Sequence, residues 1–119
     1  MNAKCLIITG MHRSGTSLTA SYLKMCGVNI GENLLKPFTD NIKGYYEDID
    51  FLEFHKKILK KNKKSIFLAK NIYFDIEDLK EAIDLINRKT KKTWGWKDPR
   101  TTLFLNFWQP IIDSPCFLL

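Results

Sequence analysis

The chain has 119 residues, 45% of them hydrophobic, and 19 basic against 13 acidic side chains, for a net charge of +6. That length and composition predict one domain, residues 1–119, with a real core, and exclude a disordered chain. The longest apolar runs, Cys5 to Ile8 and Pro115 to Leu119, fall far short of the roughly 18 to 20 residues that cross a bilayer, and the basic balance favours anionic partners.

The N-terminus lacks the long apolar segment and small-residue cleavage site of a secretory signal, so a cytoplasmic location is expected. Cys5, Cys26 and Cys116 are widely spaced with no CxxC pair, which argues against a disulfide framework or a zinc site and reads as three small core residues.

In chain order, Lys4 to Thr9 (KCLIIT) is a continuous apolar run of the kind found in buried parallel strands. It feeds GMHRSGTS, residues 10 to 17, in which Gly10, four residues, Gly15 and a Thr/Ser pair have phosphate-loop spacing. Thr16 stands where a nucleotide triphosphatase keeps its lysine. Ser17 to Cys26 then reads as a helix with Leu18, Tyr22, Met25 and Cys26 near one face and Gly27 as its stop.

Val28 to Gly44 reads as a long irregular connection. A second helix is expected over Asp48 to Lys61, with Ile49, Leu52, His55, Ile58 and Leu59 at helical spacing and lysines opposite. The lysine cluster of HKKILKKNKK, residues 55 to 64, reads as a solvated face, with a dedicated anion patch as the competing reading. Asp75 looks like the N-cap of a third helix reaching about Arg88 through Ile76, Leu79, Ile83 and Ile86. Thr93 to Lys97 alternates as a strand, Asp98-Pro99 turns into a helix from about Thr101 to Trp108, and PCFLL reads as a last strand. The loop that should leave that strand would lie beyond Leu119, so the expectation is an α/β domain with a P-loop-type parallel sheet flanked by helices, incomplete at its C-terminus.

Glycines let the backbone of such a loop close around one phosphate or sulfate, with N–H groups converging on the oxygens and the positive end of the following helix behind them. Arg13 supplies a planar cation from within the loop, and His12 either assists or is simply exposed. Lys97, Asp98 and Arg100 sit at a strand end, where Lys97 or Arg100 could bind an anion; a structural cluster in which Asp98 caps the next helix and pairs with Arg100 is the competing reading. Trp94, Trp96 and Trp108 read as core before stacking platforms.

HRSGTS, residues 12 to 17, resembles the 5′-phosphosulfate loop of sulfotransferases. NIKGYYEDIDFLEFHKKIL, residues 41 to 59, and WGWKDPRTTLFLNFW, residues 94 to 108, are similar to segments of bacterial sulfotransferase-family proteins in the same order. The resemblance implies the donor 3′-phosphoadenosine 5′-phosphosulfate (PAPS), with product PAP. It implies a donor site of His12, Arg13, Ser14, Gly15, Thr16 and Ser17, with Arg13 over the sulfuryl end and no metal. It also implies a carboxylate base after the first helix: Glu47 is the first choice and Glu32 the second. The acceptor is expected to be a hydroxyl, with a carbohydrate as the preferred class and no nucleic acid partner. The family's 3′-phosphate segment, an Arg and Ser beyond a later strand, has no counterpart up to Leu119, so this chain alone is expected to be compromised as an enzyme. The alternatives are a P-loop kinase or NTPase, which would want a lysine and a magnesium-binding Asp, and a non-catalytic nucleotide- or anion-binding remnant.

Overall fold

The computed structural model describes residues 3–10, 15–35, 46–62, 72–112 and 115–118. Strand β1 (Lys4–Ile8) lies at the centre of a three-stranded sheet, between β2 (Thr93–Lys97) and β3 (Cys116–Leu118), and pairs in parallel with both. Parallel strands need helical crossovers that cover the sheet, which is why β1 is apolar on both faces.

The period of two in β1 divides the core. Cys5 and Ile7 face one cluster, with Phe51, Phe54 and Ile58 of helix α2 (Ile49–Lys61) and Ala82 and Leu85 of helix α3 (Ile76–Lys89). Leu6 and Ile8 face the other, with Ala20 of helix α1 (Thr16–Met25) and with Val28 and Ile30. The result is an α/β arrangement of a small parallel sheet with helices on both faces.

In β2, Trp94 and Trp96 point to the same face, and Phe51 stacks flat on Trp96 with centroids 3.8 Å apart. Trp108 closes edge-on over Trp96 at 5.1 Å, so all three tryptophans are core, as the sequence suggests. Gly95 faces the opposite way against β1, and a Cβ there would fall on the Leu6 carbonyl. Only a residue without a side chain allows this approach.

Several expectations change in detail. Pro99–Phe104 is a 3-10 helix running into the single-turn α4 (Leu105–Trp108), instead of one helix from Thr101. Its tight winding lets Thr101 accept a hydrogen bond from Trp96 Nε1 at 3.0 Å while Phe104 stays buried. Of the cysteines, only Cys5 is buried; Cys26 and Cys116 are exposed. Burial pushes the Cys5 thiol up to about 12, with Cys116 adding to the shift.

Helix α1 turns Thr16 and Ala20 inward, one turn apart, because small side chains allow close approach to the sheet. Leu18, Tyr22 and Met25 consequently lie on its solvent side. The second half of the expected irregular connection, residues 36–44, lies outside the described residues; the first half holds bridges from Asn29 to Trp94 and from Leu34 to Asp48. No helix among the described residues is long and apolar enough to cross a membrane.

Candidate functional site

The order β2-β1-β3 means the chain leaves β1 towards one side and later returns to the other, so β1 sits at the reversal of strand order. In open parallel sheets the crevice outside the carboxyl ends at such a reversal is where ligands bind. The carboxyl end of β1 is Thr9 and Gly10, and that of β2 is Lys97 and Asp98, joined by Asp98 N–H donating to the Ile8 carbonyl at 3.1 Å. Thr9 is fully buried and its hydroxyl donates to the Pro99 carbonyl at 3.3 Å. With its single proton used there, it accepts from the Thr102 hydroxyl at 2.6 Å. This latch ties the turn after β2 to the end of β1.

Gly10 and Gly15 bracket the loop that follows, and both have positive φ, 143° and 88°. Gly15 is the N-cap of α1 in the left-handed region, with no clash among the described residues where a side chain would be, so its backbone conformation is what favours glycine there. Among the described residues no side chain caps this helix start, and the positive end of α1 lies towards the carboxyl edge. Thr16 is buried at the first helical position and Ser17 is half-buried beside it. His12, Arg13 and Ser14 lie outside the described residues.

Beside this loop, at the end of β2, Lys97 Nζ lies 3.2 Å from Glu47 Oε1, with side chains only 3% and 5% exposed. Burial pushes the Lys97 ammonium below the ordinary lysine range, and the opposing Glu47 charge does not cancel it. Glu47 directly precedes α2, whose N-cap is Asp48 and not Glu47. The preceding Tyr46 has φ 59°, a conformation costing a non-glycine residue about 1–2 kcal/mol. A strained backbone just before a buried carboxylate is the kind of feature that collects at ligand sites.

A second buried chain runs through Asp98. Trp108 Nε1 donates to His55 Nε2 at 2.9 Å, and His55 Nδ1 lies 2.7 Å from Asp98 Oδ2. Because an indole N–H can only donate, Nε2 must accept, which places the ring proton on Nδ1 and directs it at the carboxylate. The other oxygen, Oδ1, accepts from the Arg100 backbone N–H at 3.2 Å and from Arg100 Nη1 at 3.1 Å. Burial would raise the Asp98 carboxyl, but the hydrogen bond from His55 and the nearby Arg100 hold it below the ordinary carboxylate range. The structural reading of Asp98, as cap and partner of Arg100, therefore holds.

The two candidate bases are separated. Glu47 meets Lys97 at the strand end, whereas Glu32 is exposed and lines a different cleft with Asn29, Gly31, Arg88, Lys89 and Lys91. Beneath Gly31, Asp48 Oδ2 is 3.1 Å from Lys89 Nζ, an ion pair by distance, although no donor points at that oxygen in hydrogen-bond geometry. The lysines of α2 face solvent, and Lys57 and Lys61 pair with Glu81 and with Asp75 and Asp78 of α3, which favours the solvated-face reading; Lys63 and Lys64 lie outside the described residues. A groove of about 940 Å³ lies elsewhere, along α3 and α4.

In the sequence His55 falls on the apolar face of its helix, with nothing nearby to mark a role. The usable signal was a ring with two polar nitrogens among Phe51, Leu52, Ile58 and Leu59, since a buried polar group needs partners. The Thr9–Thr102 latch had no signal in the sequence, because its partners are remote along the chain.

No family model matches this chain, and neither the curated proteins nor the solved structures contain a significant match.

Proposed function

We propose that the carboxyl edge of this sheet binds PAPS and transfers its sulfuryl group to an acceptor hydroxyl, with a carbohydrate as the preferred acceptor class. The observation that carries this reading is the buried Lys97–Glu47 pair at the carboxyl end of β2, next to the two positive-φ glycines that bracket the loop after β1. A loop of this kind suits a single nucleotide phosphate. The lysine that a triphosphatase would hold at position 16 is absent, and a desolvated cation comes instead from the neighbouring strand.

The pair also suits the proton transfer. Arrival of the donor's anionic groups competes with Glu47 for Lys97, which frees the carboxylate to accept the proton of the acceptor hydroxyl. The acceptor oxygen then forms its bond to sulfur as the bond from sulfur to the bridging phosphate oxygen breaks. The electron pair stays on that phosphate oxygen, where Lys97 and, by the resemblance, Arg13 offset the charge. Glu32, exposed in another cleft, is the second candidate for the base. A kinase or NTPase is less well supported, because Asp98 is already committed to His55 and Arg100 and is not free to hold magnesium.

Calorimetric titration with PAP, and separately with ATP and magnesium, tests the reading. Glu47→Gln should leave PAP affinity nearly unchanged while lowering PAP formation from PAPS in the presence of an oligosaccharide acceptor by about 10²–10⁴-fold. Unchanged turnover would remove Glu47 from the role, magnesium-dependent ATP binding without PAP binding would favour the NTPase, and PAP binding without turnover would favour a non-catalytic module.

A further inference from the structure

Arg100 carries five N–H donors on its side chain. Its guanidinium is only 19% exposed, yet among the described residues it makes one side-chain hydrogen bond, from Nη1 to Asp98 Oδ1. An arginine that serves only to neutralise a buried aspartate would take both carboxylate oxygens in a fork. Here the second oxygen is taken by His55 Nδ1–H, and His55 is in turn fixed by Trp108. The arginine is thus held at one corner, with its remaining donors unused by the aspartate. Lys97 is the last residue of β2 and Arg100 follows it by three residues, so a second cation lies at the same strand end. Two cations gathered at a strand end, each with an acid behind it, form a receptor for an oxyanion.

We infer that Arg100 is an oxyanion-binding residue, held in place by the buried chain Trp108–His55–Asp98, and that its ligand is a sulfate, phosphate or carboxylate group approaching the carboxyl end of β2. His55 and Trp108 are positioning residues: they lie inside the core and act through Asp98. The anion has two possible sources, the nucleotide donor itself or an acidic substituent on the acceptor. The inference does not depend on the donor being PAPS, because it rests on the geometry around Asp98.

Inorganic sulfate is the probe, followed by the NMR signal of the Arg100 Nε–H, which is assigned by its loss in Arg100→Lys. In the wild-type chain this signal should shift saturably with sulfate, and Arg100→Gln should weaken sulfate binding about tenfold, the worth of one charge-assisted hydrogen bond. His55→Asn, whose amide N–H can replace the imidazole donor to Asp98, should retain sulfate affinity within about twofold, whereas His55→Leu should lose about as much as Arg100→Gln. If His55→Leu does not fold, the wild-type shift, Arg100→Gln and His55→Asn still decide the matter. A folded wild-type chain whose Arg100 signal ignores sulfate, or an Arg100→Gln variant that binds sulfate like wild type, overturns the inference. Repeating the titration with PAP at saturation identifies the source. A sulfate response abolished by PAP assigns the anion to the donor, a persistent response assigns it to the acceptor, and either upholds the site. Failure of PAP to bind would count against the sulfuryl-transfer reading and leave the sulfate result standing.

Discussion

Helices α2 and α3 look alike in sequence and are used differently by the fold. Each begins at an aspartate N-cap, ends with basic residues in its last turn, and carries apolar residues at helical spacing. Helix α2 buries Phe51, Phe54, Ile58 and Leu59 in the cluster that holds the tryptophans of β2. Helix α3 buries Asp78, Ala82 and Leu85, while Ile76, Leu79 and Ile83 line an open groove with Phe74, Phe107 and Ile111. Part of the reason is the entry of α3, where Asp75 and Asp78 close a capping box and Lys61 reaches Asp78 from α2. That ion pair and the Lys57–Glu81 pair seat α3 on α2 through its polar and small side chains. Amphipathic spacing therefore announces a helix and a stripe, but not whether the stripe meets the core.

The largest expected effect tests this contrast directly. Phe51→Ala should cost about 3–5 kcal/mol, seen as a lowered denaturant midpoint, because a ring stacked between Trp94, Trp96 and Trp108 leaves a cavity. Ile83→Ala on α3 should change stability by no more than about 0.5 kcal/mol. Comparable losses at the two sites would show that something covers the α3 stripe in solution.

A somewhat smaller effect is expected where the chain enters α2. Lys97→Met leaves Glu47 buried without its partner and should cost about 3 kcal/mol, whereas Lys97→Met combined with Glu47→Leu should recover most of it. Failure of the double variant to recover would mean that the pair itself, and not the orphaned carboxylate, stabilises the entry to α2.

The smallest effect is a pH response of opposite sign at the two N-caps. Burial raises the Asp48 carboxyl above the ordinary 3.8, against the charge and hydrogen bond of Lys89 and the Asp50 amide. The folded state therefore holds that proton more tightly than the unfolded chain, so this group adds stability as pH falls through its raised value towards 3.8. The hydrogen bond from Lys61, then that from the Asp78 amide, lowers the Asp75 carboxyl below 3.8. Its contribution is present above 3.8 and is lost as pH falls through the lowered value. In chemical denaturation across pH, Asp48→Asn should remove a gain on mild acidification, while Asp75→Asn should remove a loss at lower pH. Responses of the same sign would contradict the difference in burial.

Much of the fold was legible because it depends on local chemistry. KCLIIT reads as a buried strand, Asp48 and Asp75 as helix starts, and Asp98-Pro99 as a capped turn, since each signal involves neighbours within about four residues. The candidate site was legible in part: Lys97, Asp98 and Arg100 were placed at a strand end, but the pairing of Lys97 with Glu47 spans 50 residues and carries no local mark. His55 shows the same limit, because its partners Asp98 and Trp108 lie 43 and 53 residues away. The expectation that Cys26 and Cys116 are core failed for a related reason, since a small apolar residue is compatible with either side of a helix or strand.

The chain's own residues determined a strand, a glycine-bounded loop and a helix in succession, together with the positions and starts of the later helices, because turn chemistry and apolar period act over a few residues. The tertiary structure decided which apolar stripes are covered, that β1 lies between β2 and β3, and which charges meet in the interior. Those outcomes depend on the packing of elements remote in sequence. Burial then raises the Asp48 carboxyl and weakens Lys97 at the edge of the sheet, while the partners that packing brings to Asp98 hold its carboxyl low.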